Sequence, residues 1–182
     1  LKSSLRIDNA QAITTFPYRV FPLQTLFEIR DRILQKCKED LLRGKEEFFF
    51  IGRGDLERNR RKLSNESDVL SILRSRFNKV TVLRPGLSSL SETILRISQA
   101  RIIVGCLGGS MMHILWARNL EFVVEIVPNS YLGPTETEDL STLLGFNYVR
   151  VHSNIHNDQD WQYVDQVCDL AALDFAIKQV IE

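Results

Sequence analysis

The stretch Ile102-Ile103-Val104-Gly105-Cys106-Leu107-Gly108-Gly109-Ser110, leading into Met111-Met112-His113, reads as a buried strand turning through glycines into a helix. Such a junction binds anions. The first N–H groups of the helix lack an internal acceptor, its dipole points the same way, and glycine lets a phosphate approach the backbone. Gly105, Gly108, Gly109 and Ser110 are therefore candidates for a phosphate-binding turn. The spacing is neither the G-x-G-x-x-G of a dinucleotide fold nor a Walker loop with its Lys and Ser/Thr. The same glycines would equally serve a strand and helix that only pack closely, and on the turn alone the two readings stand level.

Arg53 follows the apolar run Phe48-Phe-Phe-Ile51 by two residues. Beyond a strand's C-terminal end an arginine faces the ligand crevice of an open parallel sheet, where it can grip a diphosphate with two parallel hydrogen bonds. Arg58, Arg60, Arg61 and Lys62 come next, before Asn65-Glu66. Without the glycine turn that run reads as a solvated basic loop. Glu125 lies near the end of another apolar run, Phe122-Val-Val-Glu-Ile-Val127. A carboxylate there is costly unless it is paired or reaches a polar cleft. It is a candidate for ribose hydroxyls, or else for a structural ion pair with a buried Arg or Lys.

Two further groups carry less. His152, His156, Asp158 and Asp160 occupy a turn-rich stretch whose spacing matches no established metal pattern, so no metal site is assigned. Cys106 precedes a helix start, which can lower a thiol pKa, but no His or acid lies nearby and a small apolar turn residue is the simpler role. Cys37, Cys106 and Cys168 are far apart in apolar stretches, which reads as buried free thiols and favours a reducing compartment.

These residues need elements to place them. Pro22 opens a helix over 22–42, closed by Gly44. Phe48 to Ile51 is a short buried strand of the parallel kind. Asn65 caps a helix with Val69, Leu70, Leu73 and Phe77 on one face. Val80 to Leu83 is a strand stopped by Pro85-Gly86. Ser89 and Glu92 form a capping box that opens a helix to Ala100. A strand over 101–106, a helix from Gly109 to about Asn119, and a strand over 122–127 follow. A helix at 136–144, a strand over 148–151 and a long amphipathic helix from Trp161 to Ile181 complete the pattern. The alternation predicts an α/β fold, doubly wound, with a mainly parallel sheet and helices on both faces.

Length suits one domain, or at most one and a half. Residues 1–45 are expected to be a helical lead-in, a remnant of or link to another domain, and 46–182 the binding domain. With 23 Lys plus Arg against 23 Asp plus Glu, no net field draws in nucleic acid. No apolar run approaches the roughly 20 residues that would span a bilayer. The first residue is Leu1, with no signal-like segment, which suggests a processed or excised chain.

Taken in order, the pieces resemble glycosyltransferase family 61. They are the strand ending at Arg53, Arg61-Lys-Leu-Ser-Asn65-Glu66, Leu90-Ser-Glu92-Thr-Ile94, Ala100-Arg-Ile-Ile-Val-Gly105, the glycine turn, a helix with Trp116, Val123-Val-Glu125-Ile-Val-Pro128, and Leu140 through Gly145 to Tyr148. The resemblance runs from about Phe48 to Tyr148. It implies the donor-binding half of a GT-B fold, transferring sugar from a nucleotide-sugar donor, with a UDP-sugar expected, by inversion and without a bound metal or tightly bound cofactor. Arg53 and Arg61 would hold the diphosphate, the glycine turn its phosphates, Asn65 and Glu66 the loop behind it, and Glu125 the ribose or a polar neighbour. The implied partners are the nucleotide sugar and a glycan or glycoprotein acceptor.

There are two departures. The family's usual histidine before the first turn glycine is Leu107 here, leaving His113, one turn into the helix, as the nearest replacement. An acceptor domain and its general base are also not visible, and are expected on a missing N-terminal part or a partner subunit. The rival readings are a non-catalytic nucleotide-sugar or glycan-binding module, and a dinucleotide-dependent oxidoreductase domain. The glycine spacing disfavours the latter.

Overall fold

The computed structural model describes residues 23–36, 48–53, 62–155 and 165–181. Six strands form one sheet: β1 (Phe48–Ile51), β2 (Thr81–Leu83), β3 (Ile102–Cys106), β4 (Phe122–Pro128), β5 (Asn147–Ile155) and β6 (Gln166–Cys168), in the order β2-β1-β3-β4-β5-β6. The first five are parallel, and β6 runs antiparallel to β5. The helices are α1 (Leu23–Lys36), α2 (Glu66–Arg76), α3 (Leu90–Ile97), α4 (Glu136–Leu144) and α5 (Leu170–Ile181). A 3₁₀ helix, Gly109–Trp116, follows β3.

The central strands are apolar at nearly every position, Glu125 of β4 being the charged exception, because both faces are covered. Phe48, Phe50, Ile102, Val104, Val124 and Ile126 point to the side packed by α2 and α5. Phe49, Ile51, Ile103 and Val123 point to the other side, against α3, the 3₁₀ helix and α4. Leu26 of α1 joins that second layer. The expected doubly wound α/β architecture is thus present. On the first side, the Phe48 and Phe77 rings stack with centroids 4.0 Å apart and pin the end of α2 to β1.

Local signals set most boundaries. The Ser89 side chain accepts a hydrogen bond from the Glu92 N–H at 3.1 Å, as the capping box predicts. Thr135 caps α4 in the same way through Glu138 N–H at 3.0 Å, and Gly145 ends it with φ 76°.

Three expectations change. The helix after the glycine turn is 3₁₀ and stops at Trp116. Three residues per turn place Met111, Ile114 and Ala117 in one buried row, a period the sequence carries. The C-terminal helix starts at Leu170, not Trp161, because 166–168 pair with β5 and the Asp169 carboxylate caps α5 by accepting from Ala172 N–H at 3.0 Å. That pairing also extends β5 to Ile155. The predicted helix end at 37–42 and Trp161 lie outside the described residues.

Candidate functional site

β1 has β2 on one side and β3 on the other, so the chain reverses its direction of travel across the sheet there. In open α/β sheets such a reversal opens a crevice beyond the strands' C-terminal ends, and ligands bind in it. The residues at those ends are Gly52 and Arg53 after β1, Arg84 after β2, and Leu107-Gly108 after β3.

Arg53 and the glycine turn meet in this crevice. The half-buried Arg53 donates from Nη2 to the Leu107 carbonyl at 2.7 Å, laying a guanidinium across the start of the turn. Leu107 N–H in turn donates to Ile126 O at 2.9 Å, which fastens the turn to β4. The Leu107 side chain is buried, and it is the Leu107 backbone carbonyl that accepts from the arginine.

Gly108 has φ 145° and ψ 176°, a conformation that is almost exclusively glycine's. Gly109 is exposed, and a Cβ there would meet nothing within 4 Å, so open space lies in front of the turn. Ser110 is half-buried on the first turn of the 3₁₀ helix.

Gly105 belongs elsewhere. It lies inside β3, where a Cβ would come 2.5 Å from Met111 Sδ and 3.1 Å from Ile51 Cβ. It is the notch that seats the 3₁₀ helix on the sheet, and it does not front the crevice.

Asn65 and Glu66 stand at the start of α2. Asn65 occupies the N-cap position without making the cap bond. Instead its amide clasps Cys168, donating to the Cys168 carbonyl and accepting from the Cys168 N–H, both at 3.0 Å. The two-sided amide satisfies a whole peptide position on the sheet's last strand, which a cap bond could not. Glu66 accepts from Arg84 Nη2 at 2.5 Å.

Arg84 is the residue that sequence reasoning passed over. Its signal is the one used for Arg53, an arginine just past an apolar strand. Arg61 lies outside the described residues.

Glu125 is in the middle of β4 and fully buried, with no surface open to a crevice. Thr135 and Tyr148 donate to its Oε2 at 2.6 and 2.8 Å, and Thr137 donates to Oε1 at 2.6 Å. Burial pushes its pKa up against the pull of these hydroxyls. The carboxylate knits α4 to β4 and β5, and the side chains that donate to it are the hydroxyls of Thr135, Thr137 and Tyr148.

His113 is half-buried on the 3₁₀ helix, and burial lowers its pKa. Burial likewise raises the Cys106 thiol, against the opposing charge of Arg53, so this is no activated nucleophile. Among the described residues no three His, Cys, Asp or Glu side chains come together as a metal site, and no helix is long and apolar enough to cross a membrane. His156, Asp158 and Asp160 lie outside the described residues.

The crevice thus joins a glycine turn to arginines at a topological switch point, and residues 6–124 match the family Glycosyltransferase 61. The chain belongs to glycosyltransferase family 61. No curated protein matches it. Membership in family 61 implies a sugar donor and an acceptor. The matched span contains Arg53, Arg61, Asn65, Glu66, Arg84 and the whole glycine turn, and it ends at Val124, one residue before Glu125. It also begins well before Phe48, so the lead-in helix α1 falls within the family-61 span.

Proposed function

We propose that this family-61 domain binds the nucleotide-sugar donor, a UDP-sugar, for an inverting transfer that needs no bound metal or tightly bound cofactor. It is the donor half of a GT-B arrangement, serving polysaccharide or glycoprotein synthesis. The observation that carries the reading is the 2.7 Å bond from Arg53 to Leu107 O, which sets a guanidinium beside the glycine turn at the β1/β3 switch point.

In the transfer, an acceptor hydroxyl oxygen attacks the anomeric carbon from the face opposite the nucleotide. The bond from that carbon to the β-phosphate oxygen breaks, and its electron pair leaves with the diphosphate. Charge therefore builds on the phosphates, where Arg53, Arg61 and the first N–H groups after Gly108 stabilise it in place of a cation. The hydroxyl proton goes to a general base on the acceptor side. His113, whose pKa burial lowers, sits close to the turn in sequence but has no assigned step.

Calorimetric titration with UDP, using GDP and NAD as controls, tests the reading. Saturable binding of UDP alone is expected. Arg53→Ala should weaken it by about 1.5–3 kcal/mol, the value of a hydrogen bond to a charged group. Equal affinity in a folded Arg53→Ala variant removes Arg53 from the site, and NAD binding in place of UDP replaces the reading with a dinucleotide one.

A further inference from the structure

Arg84 has no part in the chemistry described above, yet its surroundings are built around it. It is the first residue after β2, and its side chain is 25% exposed. One edge of its guanidinium is engaged, through Nη2, by the Glu66 carboxylate on the first residue of α2. The other edge is not. Nη1 is buried and has no hydrogen-bond partner among the described residues. Burying a charged donor without an acceptor is costly, so such a group calls for a cause. Orphaned guanidinium nitrogens also occur on Arg30 and Arg96, but those residues lie within α1 and α3 and do not directly follow a strand.

The neighbouring strand leaves room for this group. A Cβ on Gly52 would lie 2.2 Å from Arg84 Nη1, 3.1 Å from Cζ and 3.3 Å from Glu66 Oε2. No residue other than glycine fits at 52 while the arginine keeps its place. Gly52 directly precedes Arg53, whose guanidinium goes the other way, to the Leu107 carbonyl after β3. Two guanidinium groups therefore flank the end of β1, one from the β2 side and one towards β3. Glu66 holds the plane of Arg84 and leaves one edge in need of an acceptor.

We propose that Arg84 is a second anion-binding residue of the crevice, sharing a diphosphate with Arg53 across the end of β1. This rests on the crevice being the phosphate site proposed above. Glu66 and Gly52 act as positioning residues, the first by pairing with Nη2 and the second by leaving space for Nη1. The role demands arginine. A lysine offers one compact charge and cannot face Glu66 and a phosphate in the same fixed plane.

The test is titration of the chain and of Arg84→Gln with inorganic pyrophosphate and with UDP, with thermal unfolding as the check on folding. Wild type is expected to bind both ligands, and Arg84→Gln to bind both about tenfold or more weakly, as the loss of a charged hydrogen bond implies. If Arg84→Gln lowers the unfolding midpoint too far to titrate, Arg84→Lys decides. It keeps the charge pair with Glu66 and should lose a similar factor. Undiminished affinity for both ligands in a folded variant overturns the assignment while leaving the donor reading intact. Pyrophosphate binding that depends on Arg84, in a chain that ignores UDP, supports Arg84 and overturns the nucleotide. Binding of neither ligand by the wild type overturns both.

Discussion

At the residue scale, Gly108 and Gly109 are adjacent glycines with different physical reasons. Gly108 takes a backbone conformation that L side chains avoid, whereas Gly109 faces open space. Gly108→Ala should cost on the order of 1–3 kcal/mol of stability through backbone strain. It should also move the turn and weaken UDP. Gly109→Ala should leave the unfolding midpoint nearly unchanged, and it should still weaken UDP if phosphates fill the space its methyl enters. Chemical denaturation and calorimetry on the two variants check this contrast, and equal stability loss in both would contradict it. The residue types at the site were legible because an arginine past a buried strand and glycines before a helix are local patterns. Which glycine does what was not. Gly105 and Gly108 look alike in sequence, and only the position of Met111 and the φ angle separate a packing notch from a turn. Glu125 shows the same limit, since its polar partners come from α4 and β5.

At the element scale, the beginning of α2 ties distant parts of the chain together. Asn65 fastens it to β6, and Glu66 fastens it to the residue after β2. Asn65→Ala removes both bonds to the Cys168 peptide and should cost about 1–3 kcal/mol. Asn65→Asp sets a carboxylate oxygen against the Cys168 carbonyl where the amide donates, and should cost at least as much as Asn65→Ala. If Asn65→Ala leaves both the unfolding free energy and the amide protection of β6 unchanged, the clasp has no structural weight. The helices and the central strands followed from capping residues and apolar runs. The exceptions have definite causes. The 3₁₀ helix keeps a three-residue apolar row, and β6 is too short to signal itself without the partner strand that pairs with it.

At the scale of the whole molecule, burial shifts two titratable groups that act on stability in opposite directions. Burial lowers the His113 pKa from 6.5, so the folded chain binds fewer protons than the unfolded one. Its contribution is complete above about pH 6.5 and is lost as pH falls through the lower folded value. Burial raises the Glu125 pKa from 4.5, so the folded chain holds that proton more tightly. Its contribution is complete below about pH 4.5 and is lost as pH rises through the higher folded value. Unfolding midpoints measured across pH should therefore fall less below about pH 6.5 in His113→Gln than in the wild type, and less above about pH 4.5 in Glu125→Gln. A Glu125→Gln profile parallel to that of the wild type would show that the carboxylate does not titrate in this range.

By itself the sequence determined the α/β class, the core strands, most helix starts and the family, because capping, apolar periodicity and glycine punctuation act between residues close in the chain. The tertiary structure decided what depends on residues far apart. It set the strand order that makes β1 the switch point, and it joined Arg53 to Leu107, 54 positions away. It turned Glu125 inward and gave Arg84 a place over Gly52. No local pattern encodes these contacts. They arise only when the sheet is assembled and each buried polar group must find its partner from whatever elements the topology brings beside it.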